Sequence, residues 1–93
     1  MDKKWFLYIL RCADDTLYTG ITDDIPRRMA QHNAGRGAKY TRGRGPLTVE
    51  YVESCEDRSH ALRREYAIKN LTRQEKLALC AGFAKDRDLS YES

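Results

Sequence analysis

The stretch WFLYILR at positions 5–11 decides the fold of this chain of 93 residues. Its aromatic and branched apolar side chains follow one another with no polar interruption, which predicts a buried β-strand. Turn-forming residues follow at positions 13–16, and the stretch LYTGIT at positions 17–22 predicts a second strand. We therefore expect an antiparallel hairpin in which Tyr8 and Tyr18 are cross-strand neighbours or near neighbours.

A helix and a basic loop should follow the hairpin. Asp23 and Asp24 supply N-cap carboxylates and Pro26 suits a first helical turn. The helix should then reach about Asn33. The next segment, residues 35–46, contains four of the six glycines and cannot stay regular for long, so it predicts an exposed basic loop.

The second half of the chain predicts one more strand and two more helices. Apolar and polar side chains alternate enough over residues 47–52 to form a third strand. Asp57 can cap a helix over about residues 58–70. A capping box of the form T-x-x-E, starting at Thr72, opens a last helix. This helix should end near Gly82.

The order strand, strand, helix, strand, helix, helix predicts an α/β fold, with a three-stranded antiparallel sheet covered by three helices. A chain of this length encloses one small core, so we expect a single domain over residues 1–93. Its ordered core should span about residues 4–83, with a frayed tail at 84–93. A hydrophobic content of 41% with 33% charged residues is typical of a globular protein.

The compartment and the cysteine chemistry follow from what the sequence lacks. No apolar run approaches membrane-spanning length, and the start of the chain has no apolar stretch of the secretory type. We therefore expect a cytoplasmic protein. Cys12, Cys55 and Cys80 are odd in number and widely spaced, which disfavours disulfides and a zinc site and predicts reduced, half-buried thiols.

Positive charge is concentrated in one segment. The net charge is only +3, yet residues 25–49 contain six basic residues and no acidic one. Such segregation attracts a polyanion without making the whole protein strongly basic, and nucleic acid is the obvious polyanion. The predicted nucleic-acid-binding residues are Arg27, Arg36, Lys39, Tyr40, Arg42 and Arg44.

Two helices carry polar residues on faces that should meet the sheet. Arg28 and His32 lie one turn apart on the inner stripe of the first helix, and Glu65 interrupts the apolar stripe of the second. A buried charge loses its hydration unless it finds an opposite charge or opens into a wet cleft. An Arg28–Glu65 ion pair and a site that binds a metal both meet this requirement, and the residues alone leave both open.

The two strand tyrosines add a second observation. Tyr8 and Tyr18 taken alone are typical of core aromatics whose hydroxyls reach the surface. Combined with Arg28 and Glu65, they form a polar set that can converge on one side of one small sheet. We interpret this set as a metal-assisted phosphodiesterase site.

These residues, taken in order, resemble the GIY-YIG nuclease superfamily, specifically its small, single-domain bacterial branch. The residues FLY at 6–8 stand in the place of the first triad and YTG at 18–20 in the place of the second. Arg28 matches the helix arginine ten residues after the second tyrosine. His32 matches a polar residue one turn later, and Glu65 matches the metal-binding glutamate.

The resemblance covers about residues 4–83 and departs from the family pattern in three places. Phe6 replaces the glycine of the first triad, and Thr19 replaces the isoleucine of the second. Many relatives carry a lysine just after the second triad, where this chain has Ile21 and Thr22. If that lysine assists deprotonation, its absence predicts either weak activity or full dependence on metal-bound hydroxide.

The resemblance implies a DNA endonuclease, acting on single-stranded or structured DNA, with catalytic residues Tyr8, Tyr18, Arg28 and His32. Glu65 would hold one divalent ion, Mg²⁺ or Mn²⁺, with water and substrate oxygens completing its coordination. Tyr18, or with less support Tyr8, would orient or deprotonate the attacking water. Arg28 would neutralise charge on the phosphate, assisted by a hydrogen bond from His32. So small a domain leaves room for a protein partner that supplies specificity.

The residues alone are also compatible with two other functions. A non-catalytic nucleic-acid-binding module would keep the fold and the basic loop, with Glu65 merely paired to Arg28. A protein-interaction domain would dock its last helix on a partner through Leu77, Leu79 and Phe83. The concentrated positive charge disfavours the protein-interaction domain, because it predicts a nucleic-acid ligand.

Overall fold

The protein, described here by a computed structural model, has a three-stranded antiparallel sheet and three helices in the predicted order ββαβαα. The structure describes the backbone of residues 4–37, 43 and 45–92, and the side chains of these residues up to residue 85. The strands are β1 Trp5–Arg11, β2 Leu17–Thr22 and β3 Thr48–Cys55, and the helices are α1 Ile25–Asn33, α2 Arg58–Lys69 and α3 Arg73–Glu92.

β1 lies in the middle of the sheet, whose strand order is β2-β1-β3. Its residues 7–10 are each at most 1% exposed, so both faces of the strand are covered. This double coverage explains the unbroken apolar run in the sequence, because a strand with one wet face would alternate. Tyr8 pairs with Gly20 of β2 on one side and with Val52 of β3 on the other.

Each face of the sheet has its own apolar cluster. Leu7 and Ile9 pack with residues of α2 and α3, whereas Tyr8 and Leu10 pack with residues of α1. Successive side chains of a strand point to opposite faces, so Tyr8 belongs to the face that α1 covers. The three cysteines are free thiols that lie fully buried in these clusters rather than half-buried: Cys12, Cys55 and Cys80.

The predicted helix starts are confirmed by their capping bonds. The Asp24 side chain accepts a hydrogen bond from the Arg27 N–H at 3.0 Å, which caps α1. Asp57 caps α2 in the same way. At α3, the Glu75 N–H donates to the Thr72 hydroxyl at 3.1 Å and the Thr72 N–H donates to the Glu75 carboxylate at 2.9 Å, so the capping box is complete.

Two elements are longer than predicted. β3 continues to Cys55, and α3 passes Gly82 and ends at Glu92, so the prediction of a helix end near Gly82 was wrong. A glycine inside a helix costs only about 1 kcal/mol relative to alanine. The next residue, Phe83, packs edge-on against Tyr51 with ring centroids 5.7 Å apart, and this contact holds the helix on β3. Even with this length, no helix within the described ranges is apolar enough to span a membrane.

The residues that flank the basic loop (35–46) on its two sides lie next to each other in the fold. Asn33 at the end of α1 accepts a hydrogen bond through its side chain from the Leu47 N–H at 3.4 Å, just before β3. Residues 38–42 and 44, which carry most of the predicted phosphate contacts, lie outside the described residues. The loop therefore leaves and re-enters the fold beside the last turn of α1.

A bidentate ion pair ties α2 to β3. The Arg64 guanidinium donates hydrogen bonds to both carboxylate oxygens of Glu53, and the Tyr51 hydroxyl donates to the same carboxylate at 2.8 Å. The hydrogen bonds from Arg64 hold the pKa of Glu53 below its usual range, although partial burial acts in the opposite direction. Because Arg64 precedes Glu65 in the chain, the ion pair also fixes the rotation of the helix that carries Glu65.

Replacing Glu53 by Gln should destabilise the fold near neutral pH by about 1–2 kcal/mol, a modest value because the Arg64 side chain is 37% exposed and partly screened. The folded-state pKa of Glu53 is lowered. Its pairing therefore stabilises the fold above the ordinary carboxyl pKa, and this contribution is lost as the pH falls through the folded-state value. Urea denaturation should show a gap between parent and Glu53→Gln that shrinks on acidification.

The matched control for this measurement is Glu56→Gln, which removes an exposed carboxylate from the end of β3. It should leave the free energy of unfolding nearly unchanged across the same pH range. Equal behaviour of the two variants would show that the ion pair does not hold α2 on the sheet.

Candidate active site

Three aromatic rings meet on the face of the sheet that α1 covers. The ring centroids are 6.4 Å apart for Tyr8 and Tyr18, 5.9 Å for Tyr8 and His32, and 5.6 Å for Tyr18 and His32. These distances are those of ring pairs in contact. We call Tyr8, Tyr18 and His32 the ring cluster. The two tyrosines are diagonal neighbours in the hairpin, since Tyr18 pairs with Leu10 while Tyr8 pairs with Gly20.

His32 enters the ring cluster from α1 as a buried, neutral imidazole. Its side chain is 2% exposed, and its Nε2 atom shares a hydrogen bond of 3.0 Å with the Tyr8 hydroxyl. Burial lowers the pKa of His32, and the nearby positive charge of Arg28 lowers it further. The imidazole therefore serves as a hydrogen-bonding group at neutral pH and not as a cation.

Burial also dominates the ionisation of Tyr8. Its side chain is 1% exposed, and burial raises the pKa of its hydroxyl, whereas the nearby Arg28 guanidinium lowers it in part. Tyr18, when ionised, and the Glu65 carboxylate raise the same pKa. Tyr8 therefore keeps its proton at neutral pH and is suited to donate a hydrogen bond rather than to act as a base. Arg28 and Glu65 are both close enough to influence its ionisation.

Two glycines make room for the ring cluster. A Cβ atom at Gly20 would lie 2.5 Å from the Tyr8 hydroxyl oxygen and 3.0 Å from a Tyr18 ring carbon, which is closer than such atoms approach. A Cβ atom at Gly37 would overlap the His32 ring in the same way. Gly20 is thus required where β2 passes the two phenols, and Gly37 brings the start of the basic loop against His32.

The two predicted charges of the site do not pair with each other. Within the described side chains, an Arg28 amino group donates to the Gln31 amide oxygen at 3.0 Å, and the Glu65 carboxylate pairs with Lys69 at 3.4 Å. Both residues are half-buried. The Arg28–Glu65 ion pair, which was the structural alternative to a functional site, is therefore not what positions these side chains.

The side chains that could bind a metal here suit Mg²⁺ or Mn²⁺ better than Zn²⁺. Among the residues that the structure describes, no group of three or more histidine, cysteine, aspartate or glutamate side chains is placed to share a metal ion. A single carboxylate such as that of Glu65 suits Mg²⁺ or Mn²⁺, which keep several waters and bind substrate phosphates. A closed zinc site would need four protein ligands.

The predicted nucleic-acid-binding residues fall into two groups. Arg27 is exposed on α1 and pairs with Asp23 at 2.7 Å, and Arg36 is exposed just beyond α1. The other four lie outside the described residues: Lys39, Tyr40, Arg42 and Arg44. The structure thus places the start of the basic loop beside the ring cluster, and the role of its cations stays a prediction.

Two residues that matter to this geometry were absent from the predicted site. Gly20 makes room for both phenols, and a glycine inside a predicted strand is the signal that would have revealed it, because it marks a close approach. Lys69 contacts Glu65, but a Glu–Lys pair four residues apart is so common on solvated helices that it carries no functional signal in a sequence.

Known proteins of similar sequence cover most of this chain. A UPF0213 protein of Halobacterium salinarum is 56% identical over 73 residues, which cover 78% of this chain and 95% of that protein. The UPF0213 protein YhbQ of Escherichia coli O157:H7 is 54% identical over 84 residues, covering 87% and 84% of the two chains. These relatives share most of the length over which the fold and the ring cluster are built.

Solved structures and a family model extend the comparison. The solution NMR structure of a UPF0213 protein from Bacillus halodurans has 42% identity and a TM-score of 0.54 over 84% of this chain and 83% of that one. The NMR structure of a protein from E. faecalis has 39% identity and a TM-score of 0.61 over 89% and 88%. A model of the GIY-YIG catalytic domain matches residues 4–78. The chain therefore belongs to the GIY-YIG domain family.

Proposed function

We propose that this protein is a metal-dependent endonuclease that hydrolyses phosphodiester bonds in DNA. The observation that supports this most strongly is the ring cluster itself, in which two phenols and a neutral imidazole meet beside the guanidinium of Arg28. A core built for stability alone gains nothing from placing a cation next to a buried phenol and a buried imidazole.

Arg28 and Tyr18 contact the reacting groups in this proposal. Arg28 binds the non-bridging oxygens of the scissile phosphate and neutralises the charge that develops as the water oxygen bonds to phosphorus and the bond to the leaving oxygen breaks. Tyr18 holds the attacking water, because it is the more exposed of the two phenols. Water can reach Tyr18 at the outer edge of the sheet but not the enclosed ring of Tyr8.

Tyr8 and His32 position the other groups. Tyr8 retains its proton because burial raises its pKa, so its hydroxyl acts as a hydrogen-bond partner. His32, neutral and bonded to that hydroxyl at 3.0 Å, fixes the orientation of the phenol. This hydrogen-bonded pair holds its own position and so keeps Arg28 and Tyr18 correctly placed beside the substrate.

Glu65 would hold the divalent ion, Mg²⁺ or Mn²⁺, together with water and phosphate oxygens. A bound ion of this kind polarises the scissile phosphate and stabilises negative charge on its oxygens. The half-buried position of Glu65 on a helix fixed by the Arg64–Glu53 ion pair suits this role, since a carboxylate that binds a metal must be held in place before the ion arrives.

The two competing functions lose support from the observed contacts. In the binding-module alternative, Glu65 is paired with Arg28. In the structure, Glu65 pairs with Lys69 and Arg28 donates a hydrogen bond to Gln31. The protein-docking alternative uses Leu77, Leu79 and Phe83, which are all partly exposed, but Leu79 packs against the apolar cluster of α2 and α3 and Phe83 packs on Tyr51.

Glu65→Gln and Tyr18→Phe should each lower the rate of DNA cleavage by about 10²- to 10³-fold, because each removes a group that acts on the reacting atoms. The assay is incubation of the pure protein with single-stranded, nicked and branched DNA in the presence of Mn²⁺. Tyr66→Phe is the matched control, since Tyr66 is a neighbouring tyrosine that is 75% exposed. It should cleave at the parent rate.

Two results would count against the nuclease. One is cleavage by Glu65→Gln at the parent rate, which would point to a contaminating activity. The other is the absence of any metal-dependent product from the parent protein on all three substrates, together with salt-sensitive DNA binding, which is the behaviour of a binding module.

Gly20→Ala should reduce cleavage by about 10²-fold even though it removes no functional group, because the new methyl would displace the phenols of Tyr8 and Tyr18. It should also lower stability by about 1–3 kcal/mol through overpacking. Gly82→Ala is the control, because a Cβ there meets nothing within 4 Å. That variant should keep full activity and gain up to about 1 kcal/mol, since alanine is the better helix former.

The two glycine variants should be compared at a temperature where both are folded by circular dichroism. Full activity in folded Gly20→Ala would mean that the exact placement of the phenols is irrelevant to the reaction. The proposed roles of Tyr8 and Tyr18 would then be untenable.

A further inference from the structure

A groove lies at the outer edge of β2. It has a volume of about 300 Å³ and is lined by Leu17, Tyr18, Thr19, Lys69 and Lys76. A second depression of about 180 Å³ adjoins it, because Leu17 and Lys76 line both, and this one adds Thr16 and Arg73. We call the two together the β2-edge groove.

The polar lining of the β2-edge groove is cationic. Among the described residues that line it, the charged ones are Lys69, at the end of α2, and Arg73 and Lys76, at the start of α3. Lys69 and Arg73 also contact carboxylates outside the lining, namely Glu65 at 3.4 Å and Asp15 at 3.2 Å. Lys76 is half-buried and has no carboxylate partner among the side chains that the structure describes.

The remaining lining of the groove also suits an anion with several oxygen atoms. Thr19 carries a hydroxyl group, which can donate a hydrogen bond to a phosphate oxygen, whereas the Thr16 hydroxyl already donates to the Asp14 carboxylate at 2.6 Å. β2 is an edge strand, and the outer side of an edge strand presents backbone N–H groups that the sheet does not pair. Cations, hydroxyls and backbone donors are the three kinds of group that bind nucleic-acid backbones.

Tyr18 connects the groove to the candidate active site. One side of its ring contacts Tyr8 and His32 in the ring cluster, and the residue also lines the β2-edge groove. A ligand in the groove would therefore be continuous with a substrate held at Tyr18. The groove differs in this from the basic loop, whose first residues lie against His32.

We propose that the β2-edge groove binds the phosphate backbone of the DNA strand next to the cleaved bond, with Lys76 as its principal cation. The strand then contacts Arg28 at the cleaved bond and the groove at the phosphates next to it. This proposal rests on the proposed nuclease function, and it adds a second set of phosphate contacts from α2 and α3.

Lys76→Gln should weaken DNA binding roughly three- to tenfold and reduce the slope of log affinity against log salt by about 0.7–0.9, the value for one lost phosphate contact. Binding is measured with a short fluorescent DNA oligonucleotide across a salt series, with a chelator present so that no cleavage occurs. Lys76→Arg keeps the charge and should restore the parent slope.

Lys85→Gln is the charge-matched control, because Lys85 is exposed farther along α3 and does not line the groove. It should leave the salt slope unchanged. Thermal denaturation of all three variants should coincide with that of the parent, since the substitutions leave the cap of α3 and the two apolar clusters untouched.

The outcomes separate this proposal from the nuclease itself. A parent protein that binds and cleaves DNA, with Lys76→Gln behaving like Lys85→Gln, overturns the groove and leaves the nuclease intact. A salt slope that depends on Lys76 in a protein that never cleaves supports the groove and overturns the nuclease. A parent protein that does not bind DNA at all overturns both.

Discussion

The packing of Tyr8 against the bare backbone of Gly20 is the constraint on which the site depends. Tyr8 belongs to the central strand, which is covered on both faces of the sheet, so its ring is tightly enclosed. Its hydroxyl then lies where a side chain at position 20 would otherwise be, within hydrogen-bonding distance of His32. The same enclosure raises the pKa of the phenol. The position of this group and its protonation state therefore have one physical cause.

The two charged residues that influence Tyr8 are carried by helices that pack on opposite faces of the sheet. Arg28 is carried by α1, which covers the face of the ring cluster, and Glu65 is carried by α2, which packs on the other face. The expectation that both would converge with the tyrosines on one side of the sheet was therefore wrong for the helices that carry them, although both charges influence the ionisation of Tyr8. Fixing α2 through Arg64 and Glu53 thus matters to the site as well as to stability, since a shift of that helix would move one charge and leave the other in place.

Much of the fold and part of the site could be predicted from local signals. Strand alternation and hairpin pairing were sufficient to bring Tyr8 and Tyr18 together, and side-chain caps at Asp24 and Asp57 located two helix starts. The end of α3 could not be predicted, because the ring contact between Phe83 and Tyr51 joins residues far apart in sequence. The β2-edge groove escaped prediction for the same reason: periodicity does not reveal which helix end meets which strand edge.

The absence of a lysine at positions 21 and 22 illustrates how the packed core limits which side chains can follow the second triad. Ile21 packs against the apolar cluster of α2 and α3, and Thr22 is buried, with its hydroxyl accepting a hydrogen bond from the Asp24 N–H at 3.1 Å. A lysine at either position would bury a charge or remove a bond at the start of α1. In this chain the lysines near Tyr18 are instead supplied by α2 and α3, at Lys69 and Lys76, where the edge of the sheet lets an ammonium group stay hydrated.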